Sequence, residues 1–370
     1  MDVLIDEVEA ELVAVRPDRE ATFADAVAAW REWAEQTKRL KPATLRGYDS
    51  LLAAPGERPR MGGQRVARIM RAFGDRKLAS ITTAEIETFL RRLDREGLDA
   101  RNVNAHRQAL ANVFEYAIRA DAFALPANSV RGVEKRREDY TKPPDTFTAE
   151  QVLALARAAR EGRHSGGGRR WASSGADSEQ ERANSQDAAL YTVAGFTGLR
   201  QGELRALRWK HVRFADRTIV VVAGMSAGRE SGTKSGKWRA VPLTREAFVA
   251  LDELSRREWF TSAEDHVFCG PAGSPLDDSA LRRRYNRARD AAGLPPLPFH
   301  HLRHTFATLA IRGLDPATVQ TLLGHSKITT TERYLHARPL NELAERMDKI
   351  FGVAPPPPEQ TAESPVSQRP

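Results

Sequence analysis

Phe299-His-His-Leu-Arg-His-Thr305 sets an imidazole and a guanidinium three residues apart, at His300 and Arg303. On a helix that spacing puts both on one face, where they can meet the same ligand group. His301 falls on another face and reads as a surface or half-buried residue. His304, four residues after His300, reads as a packing or supporting residue. Upstream, Thr197-Gly-Leu-Arg-Gln-Gly-Glu-Leu204 holds Arg200 between Gly198 and Gly202, where the backbone can come close to a ligand, with Glu203 placed to orient it. Thr233-Lys-Ser-Gly-Lys237 offers Lys234 and Lys237 in a Gly/Ser-rich turn. Downstream, Leu323-Gly-His-Ser326 places His325 where a side chain projects from a helix end. Thr331-Glu-Arg-Tyr-Leu-His336 then sets Tyr334 in a polar, short-helix context unlike that of a core tyrosine.

This inventory contains no carboxylate cluster or cysteine pair suited to a metal. His300 and His304 have the spacing of zinc-binding helices. The Glu that should follow the first His is missing, however, and Arg303 would repel a dication. Neither a metal nor a cofactor is expected. The set suits attack by a phenol oxygen on a phosphodiester. Phenolate leaves more readily than an alkoxide, so a phosphotyrosyl ester can form and later be surrendered. A free tyrosine has a pKa of about 10, so something must take its proton or compensate its charge. The attacked phosphate gains negative charge in its transition state, which preorganised cations stabilise. Arginine fits that task because its planar fork bonds two phosphate oxygens and stays charged.

The order of these motifs resembles the tyrosine recombinases, or phage integrases, over Ala21 to Phe351 and most closely from Thr148 onward. The resemblance implies a site-specific DNA recombinase that cleaves and rejoins DNA through a 3′-phosphotyrosyl intermediate without metal. By it, Arg200 and Arg303 are paired phosphate clamps, and Lys234 protonates the leaving 5′ oxygen. His300 assists proton transfer, His325 takes the second His/Trp position and Tyr334 is the nucleophile. Lys237 rivals Lys234, which is preferred because the family's lysine precedes the Gly-containing turn. His301 departs from the family, where many members carry an acidic residue. The implied partners are double-stranded DNA with specific recombination sites, a homotetramer on two such sites and an accessory directionality factor. A type IB topoisomerase-like strand transferase and a non-catalytic DNA-binding relative are the alternatives.

Composition agrees in kind. Lys plus Arg number 57 against 49 Asp plus Glu in 370 residues, a basic excess that favours a polyanionic partner. The single cysteine, Cys269, excludes an intramolecular disulfide and reads as core filler. The acidic N-terminus is not a secretory signal, and no apolar run approaches the roughly 20 residues that span a bilayer. A cytoplasmic protein, nucleoid-associated when bound to DNA, is expected.

The expected fold is mainly α, with a small antiparallel sheet in the C-terminal domain. Residues 1–21 read as an extension and 22–130 as a helical domain, with Phe23, Val27, Trp30 and Trp33 at helical spacing behind Thr22; by the resemblance this is the core-binding domain. Lys38, Arg39, Lys41, Arg46 and Arg101 make a DNA-facing surface credible there. Residues 131–147 read as an exposed linker. An α+β catalytic domain follows over 148–351, opened by a capping box of Thr148 and Gln151. Within it, 161–186 reads as a flexible insertion, with strand patterns at Val212–Ala223 and Arg239–Leu243. By the resemblance, Leu340–Ile350 is a helix that packs on a neighbouring subunit. The Pro-rich tail, 352–370, reads as disordered.

Overall fold

Thr22 begins the first helix: its hydroxyl accepts the Asp25 amide N–H, and the Asp25 carboxylate accepts that of Thr22 at 2.8 Å. Thr82 with Glu85, and Thr148 with Gln151, repeat this reciprocal cap. The computed structural model describes residues 20–57, 66–120, 123, 125–138, 144–164, 174–226, 228–232 and 238–337. The chain divides into two compact units at Tyr140/Thr141.

The first unit is helical: α1 (Phe23–Gln36), α2 (Pro42–Leu51), α3 (Arg68–Phe73), α4 (Thr83–Arg95) and α5 (Ala100–Arg119). Phe23, Trp30, Ile69, Phe73, Ile86, Leu90, Leu110 and Phe114 form its core, from the faces that helical spacing assigns to them. Trp33 is half-buried, with the Lys38 ammonium 5.2 Å above its ring. The expected linker is not uniformly exposed. Val133 is buried in this core, and Arg136 pairs with Glu87 and Asp94. Phe147, at its other end, is buried in the second unit's core. A count of charges missed this because ion pairs let a charged segment lie along a folded surface.

The second unit packs α6 (Ala149–Arg160), α7 (Ser174–Thr197), α9 (Arg245–Ser255) and α10 (Asp278–Ala291) with a three-stranded antiparallel sheet in the order β1-β2-β5. Its strands are β1 (Val212–Arg213), β2 (Thr218–Val221) and β5 (Arg239–Pro242), with Ile219 opposite Val241. Short α8 (Gln201–Ala206) follows α7. Tyr191, Tyr285 and Phe299 meet edge to face in the core, at centroid distances of 5.2 to 6.3 Å. The strand expected over Val212–Ala223 is broken by a turn at Phe214–Arg217, where Arg217 has φ +49°. A separate ribbon, β3 (Ala223–Ser226) and β4 (Arg229–Gly232), stands between β2 and β5 in sequence. The expected flexible insertion is also partly regular, because Ser174–Gln186 is the first half of α7.

Helix α11 (His301–Gly313), α12 (Pro316–Leu323) and α13 (Thr329–Glu332) complete the unit. Ala307, Ile311, Val319, Leu323 and Tyr334 form a small apolar cluster of their own. Among the described residues, no helix is long and apolar enough to cross a membrane.

Candidate active site

The C-terminus of α12 organises the site. A helix end leaves its last carbonyls without intrahelical partners and carries a partial negative charge. Here three guanidiniums take up successive carbonyls. Arg239 Nε donates to Leu322 O at 2.8 Å, Arg303 Nη2 to Leu323 O at 2.6 Å and Arg200 Nη2 to Gly324 O at 2.9 Å. Gly324 ends the helix at φ +65°, and a Cβ there would lie 3.1 Å from Arg239 Nη1. The left-handed turn thus admits the arginines and directs the chain into His325.

Glu203 ties two of these cations together. Its carboxylate accepts both Nη groups of Arg239, at 3.0 and 2.7 Å, and Arg200 Nη1 at 2.8 Å. It also accepts the Arg200 amide N–H at 2.8 Å, capping α8. Burial works to raise the Glu203 pKa, but Arg239 and Arg200 outweigh it and hold the carboxyl below its ordinary range. Arg303 donates its other Nη to Gly198 O at 2.7 Å. Gly198 has φ +65°, and a Cβ there would sit 2.4 Å from the Phe306 ring. Burial, then repulsion from Arg200, lowers the Arg303 pKa to about 9, which leaves it charged at neutral pH.

The imidazoles lie around these cations. Burial and the charges of Arg303, Arg200 and Arg239 push His325 down to about 3, and its Nδ1 bonds Thr331 Oγ1 at 2.9 Å. His300 precedes α11 as its N-cap. Desolvation, then Arg303 and His301, lower it to about 4, although its side chain is solvent-exposed and screening weakens that effect. His301 is bonded through Nδ1 to Asp145 O at 2.7 Å.

Tyr334 departs from expectation: it is 3% exposed, packed like a core residue in the small apolar cluster. Its hydroxyl meets His304 Nδ1 at 2.6 Å. Burial raises the phenol's pKa, partly opposed by Arg303 and Arg333. The structure therefore brings Arg200, Glu203, Arg303, His325 and Tyr334 into one linked region, with His300 beside His304 at 4.8 Å between rings. Lys234, Lys237 and the Leu340–Ile350 segment lie outside the described residues. The sequence reading missed Arg239. Strand alternation was the available signal, because Arg239 shares the buried face of β5 with Val241 while Ala240 is exposed.

The phage integrase family model matches residues 175–340, the span that holds all of these groups. The tyrosine recombinase XerC of Xanthomonas axonopodis pv. citri is 30% identical over 281 residues, covering 75% of this chain and 79% of that protein. The chain belongs to the tyrosine recombinase family. Its members break and rejoin DNA at specific sites, and this chain is a recombinase of that kind. A second such recombinase, XerC of Mesorhizobium japonicum, is 25% identical and covers 87% of this chain and 93% of its own length. The same fold occurs in a lambda integrase dimer bound to a core site, with TM-score 0.61 and 21% identity over 85% of this chain and 95% of that one. The Tn1549 transposon integrase with circular intermediate DNA gives TM-score 0.61 at 20% identity, over 89% of this chain and 100% of that one.

Proposed function

We propose that this recombinase cleaves DNA by attack of Tyr334 Oη on the scissile phosphorus, forming a 3′-phosphotyrosyl ester and releasing a 5′-hydroxyl. The supporting observation is the set of three guanidiniums on one helix end against the single carboxylate of Glu203. That surplus positive charge suits a phosphodiester whose non-bridging oxygens gain charge in the transition state. Arg200 and Arg303 hold those oxygens, Glu203 and Arg239 orient Arg200, and His300 and His325 complete the phosphate pocket. Lys234 protonates the departing 5′ oxygen. The reverse attack by a 5′-hydroxyl from another strand completes strand exchange. No metal is needed, because arginines supply the charge.

Lys38, Arg39, Lys41, Arg46 and Arg101 are all exposed and have no carboxylate partner among the described residues. Arg68, Arg76 and Lys77, by contrast, pair with Glu96, Glu85 and Glu20. The unpaired five supply the DNA-facing surface of the first unit. A lambda integrase tetramer bound to a Holliday junction shares this fold at 22% identity and TM-score 0.60. In keeping with that likeness, we propose that this chain acts as a homotetramer on two DNA sites. An accessory factor that sets direction and a cytoplasmic location on chromosomal DNA belong to the same proposal and rest on the family resemblance alone.

Trapping the protein on genomic DNA and sequencing the attached fragment identifies the target. A nicked half-site from it should then give a covalent adduct with the parent in excess EDTA and none with Tyr334→Phe. An undiminished adduct from Tyr334→Phe, or abolition by chelator with recovery on added metal, overturns the mechanism. On the same half-site, Lys234→Ala should be severely slowed and should recover with sulfur at the bridging 5′ position, since a thiolate leaves without a proton. Rescue of Lys237→Ala instead would move the acid role to that residue.

A further inference from the structure

His304 is the imidazole that touches the nucleophile. Its Nδ1 lies 2.6 Å from Tyr334 Oη, with ring centroids 5.9 Å apart. The neighbouring imidazoles are engaged differently: Nδ1 of His301 is bonded to Asp145 O and Nδ1 of His325 to Thr331 Oγ1. His300 meets the His304 ring edge to face at 4.8 Å, and His301 does so at 5.1 Å. His304 follows Arg303 directly on α11 and is held against the phenol by its hydrogen bond to Oη and by the rings of His300 and His301.

We propose that His304 is a catalytic residue that accepts the Tyr334 proton as the phenol attacks DNA. As the Oη–P bond forms, the Oη–H bond breaks toward Nδ1. The P–O5′ bond breaks, and its oxygen takes a proton from the lysine. His304 keeps the tyrosine's proton as imidazolium and returns it to the phenol oxygen when a 5′-hydroxyl attacks the ester.

The surroundings fit this role. Burial, then His300, His301, Arg333 and Arg303, depress the His304 pKa to about 3. The ring is therefore neutral and can accept a hydrogen bond at any physiological pH. The arginines Arg333 and Arg303 oppose an imidazolium in the free site, but the phosphodiester's negative charge acts against them once DNA is bound. Bond formation to phosphorus also makes Oη–H far more acidic than in a free phenol, so a weak base suffices.

The inference rests on Tyr334 being the nucleophile. His304→Asn places a carbonyl oxygen near the Nδ1 position, which can accept the phenol's hydrogen bond but cannot hold its proton. Single-turnover cleavage should fall roughly 10²–10⁴-fold in both His304→Ala and His304→Asn, with DNA affinity retained. Replacing Tyr334 by 3,5-difluorotyrosine, a more acidic phenol, should recover most of that loss. Parent-like rates in His304→Asn would leave only an orienting role and overturn the proposal. So would unslowed His304→Ala, or a loss that the acidic phenol does not recover.

If the variants do not fold, ¹⁵N-histidine NMR of the intact protein decides. His304 Nδ1 must be an unprotonated acceptor whose shift changes in Tyr334→Phe, and a protonated Nδ1 overturns the proposal. A parent protein that forms no Tyr334 adduct overturns the proposed function itself. Altered variant rates against an active parent bear on His304 alone.

Discussion

The two units of this recombinase bury different things. The first fills its core with Phe23, Trp30, Phe73, Leu110 and Phe114 and keeps Lys38, Arg39, Lys41, Arg46 and Arg101 outside. The second has an apolar core of its own, yet it also buries Glu203, Arg239 and Arg303, which are 5%, 8% and 4% exposed. Removing charges from water is expensive, and well-packed apolar residues of similar volume often stabilise a fold at least as well as a buried ion pair. The first unit shows that this sequence can build such a core. Under the proposed function, the charge buried in the second unit serves the chemistry at its surface.

The largest effect that tests this contrast is expected at Arg239. Arg239→Ala leaves Leu322 O without its donor and removes both bonds from Glu203. Breaking a buried pair by deleting one partner costs about 3–5 kcal/mol. Replacing both partners, as Arg239→Met with Glu203→Leu, should recover much of that stability in urea unfolding. Cleavage should stay slow in the double variant, because Arg200 has lost the carboxylate that orients it. A double variant as active as the parent would show that the pair serves folding only.

Next come the two arginines that the proposed function sets on the phosphate. Arg200→Ala and Arg303→Ala should each lower single-turnover cleavage by roughly 10²–10³, the effect of one preorganised donor to a transition-state charge. Lysine should not restore the rate at either position, since the planar fork that also holds Gly324 O or Leu323 O is gone. Alanine variants that cleave at the parent rate would move the phosphate site away from this helix end.

The same contrast explains what could be read in the sequence. Helical periodicity and the caps at Thr22 and Thr148 mark α1 and α6 with their starts, because those signals are local. The motif residues Arg200, Arg303, His325 and Tyr334 were legible from type and order. Their shared support was not. That Leu322 O, Leu323 O and Gly324 O each receive a different arginine depends on α8, β5, α11 and α12 meeting in space. The polar neighbours of Tyr334 set it apart from a core tyrosine, but α11 and α12 bury it. His304 reads only as a packing or supporting residue, because four-residue spacing from His300 does not reveal what lies across the interface.

The smallest effect is expected at a helix cap in the first unit. Thr22→Ala removes the hydroxyl that accepts the Asp25 amide and leaves the Asp25 carboxylate with only the Thr22 amide. Loss of an N-cap costs about 1 kcal/mol. The urea transition of the first unit should move to lower denaturant with an unchanged slope, since the surface exposed on unfolding is the same. Thr148→Ala removes the equivalent cap from α6 and should cost a similar amount in the second unit. The two variants should differ in function. Phe147, beside Thr148, donates its amide N–H to Thr305 Oγ1 on α11 at 3.0 Å, so loosening α6 reaches the helix that carries Arg303 and His304. Cleavage at saturating DNA should therefore decline in Thr148→Ala and stay at the parent rate in Thr22→Ala. A slowed Thr22→Ala at saturation would mean that the first unit shapes the chemical step as well as holding DNA.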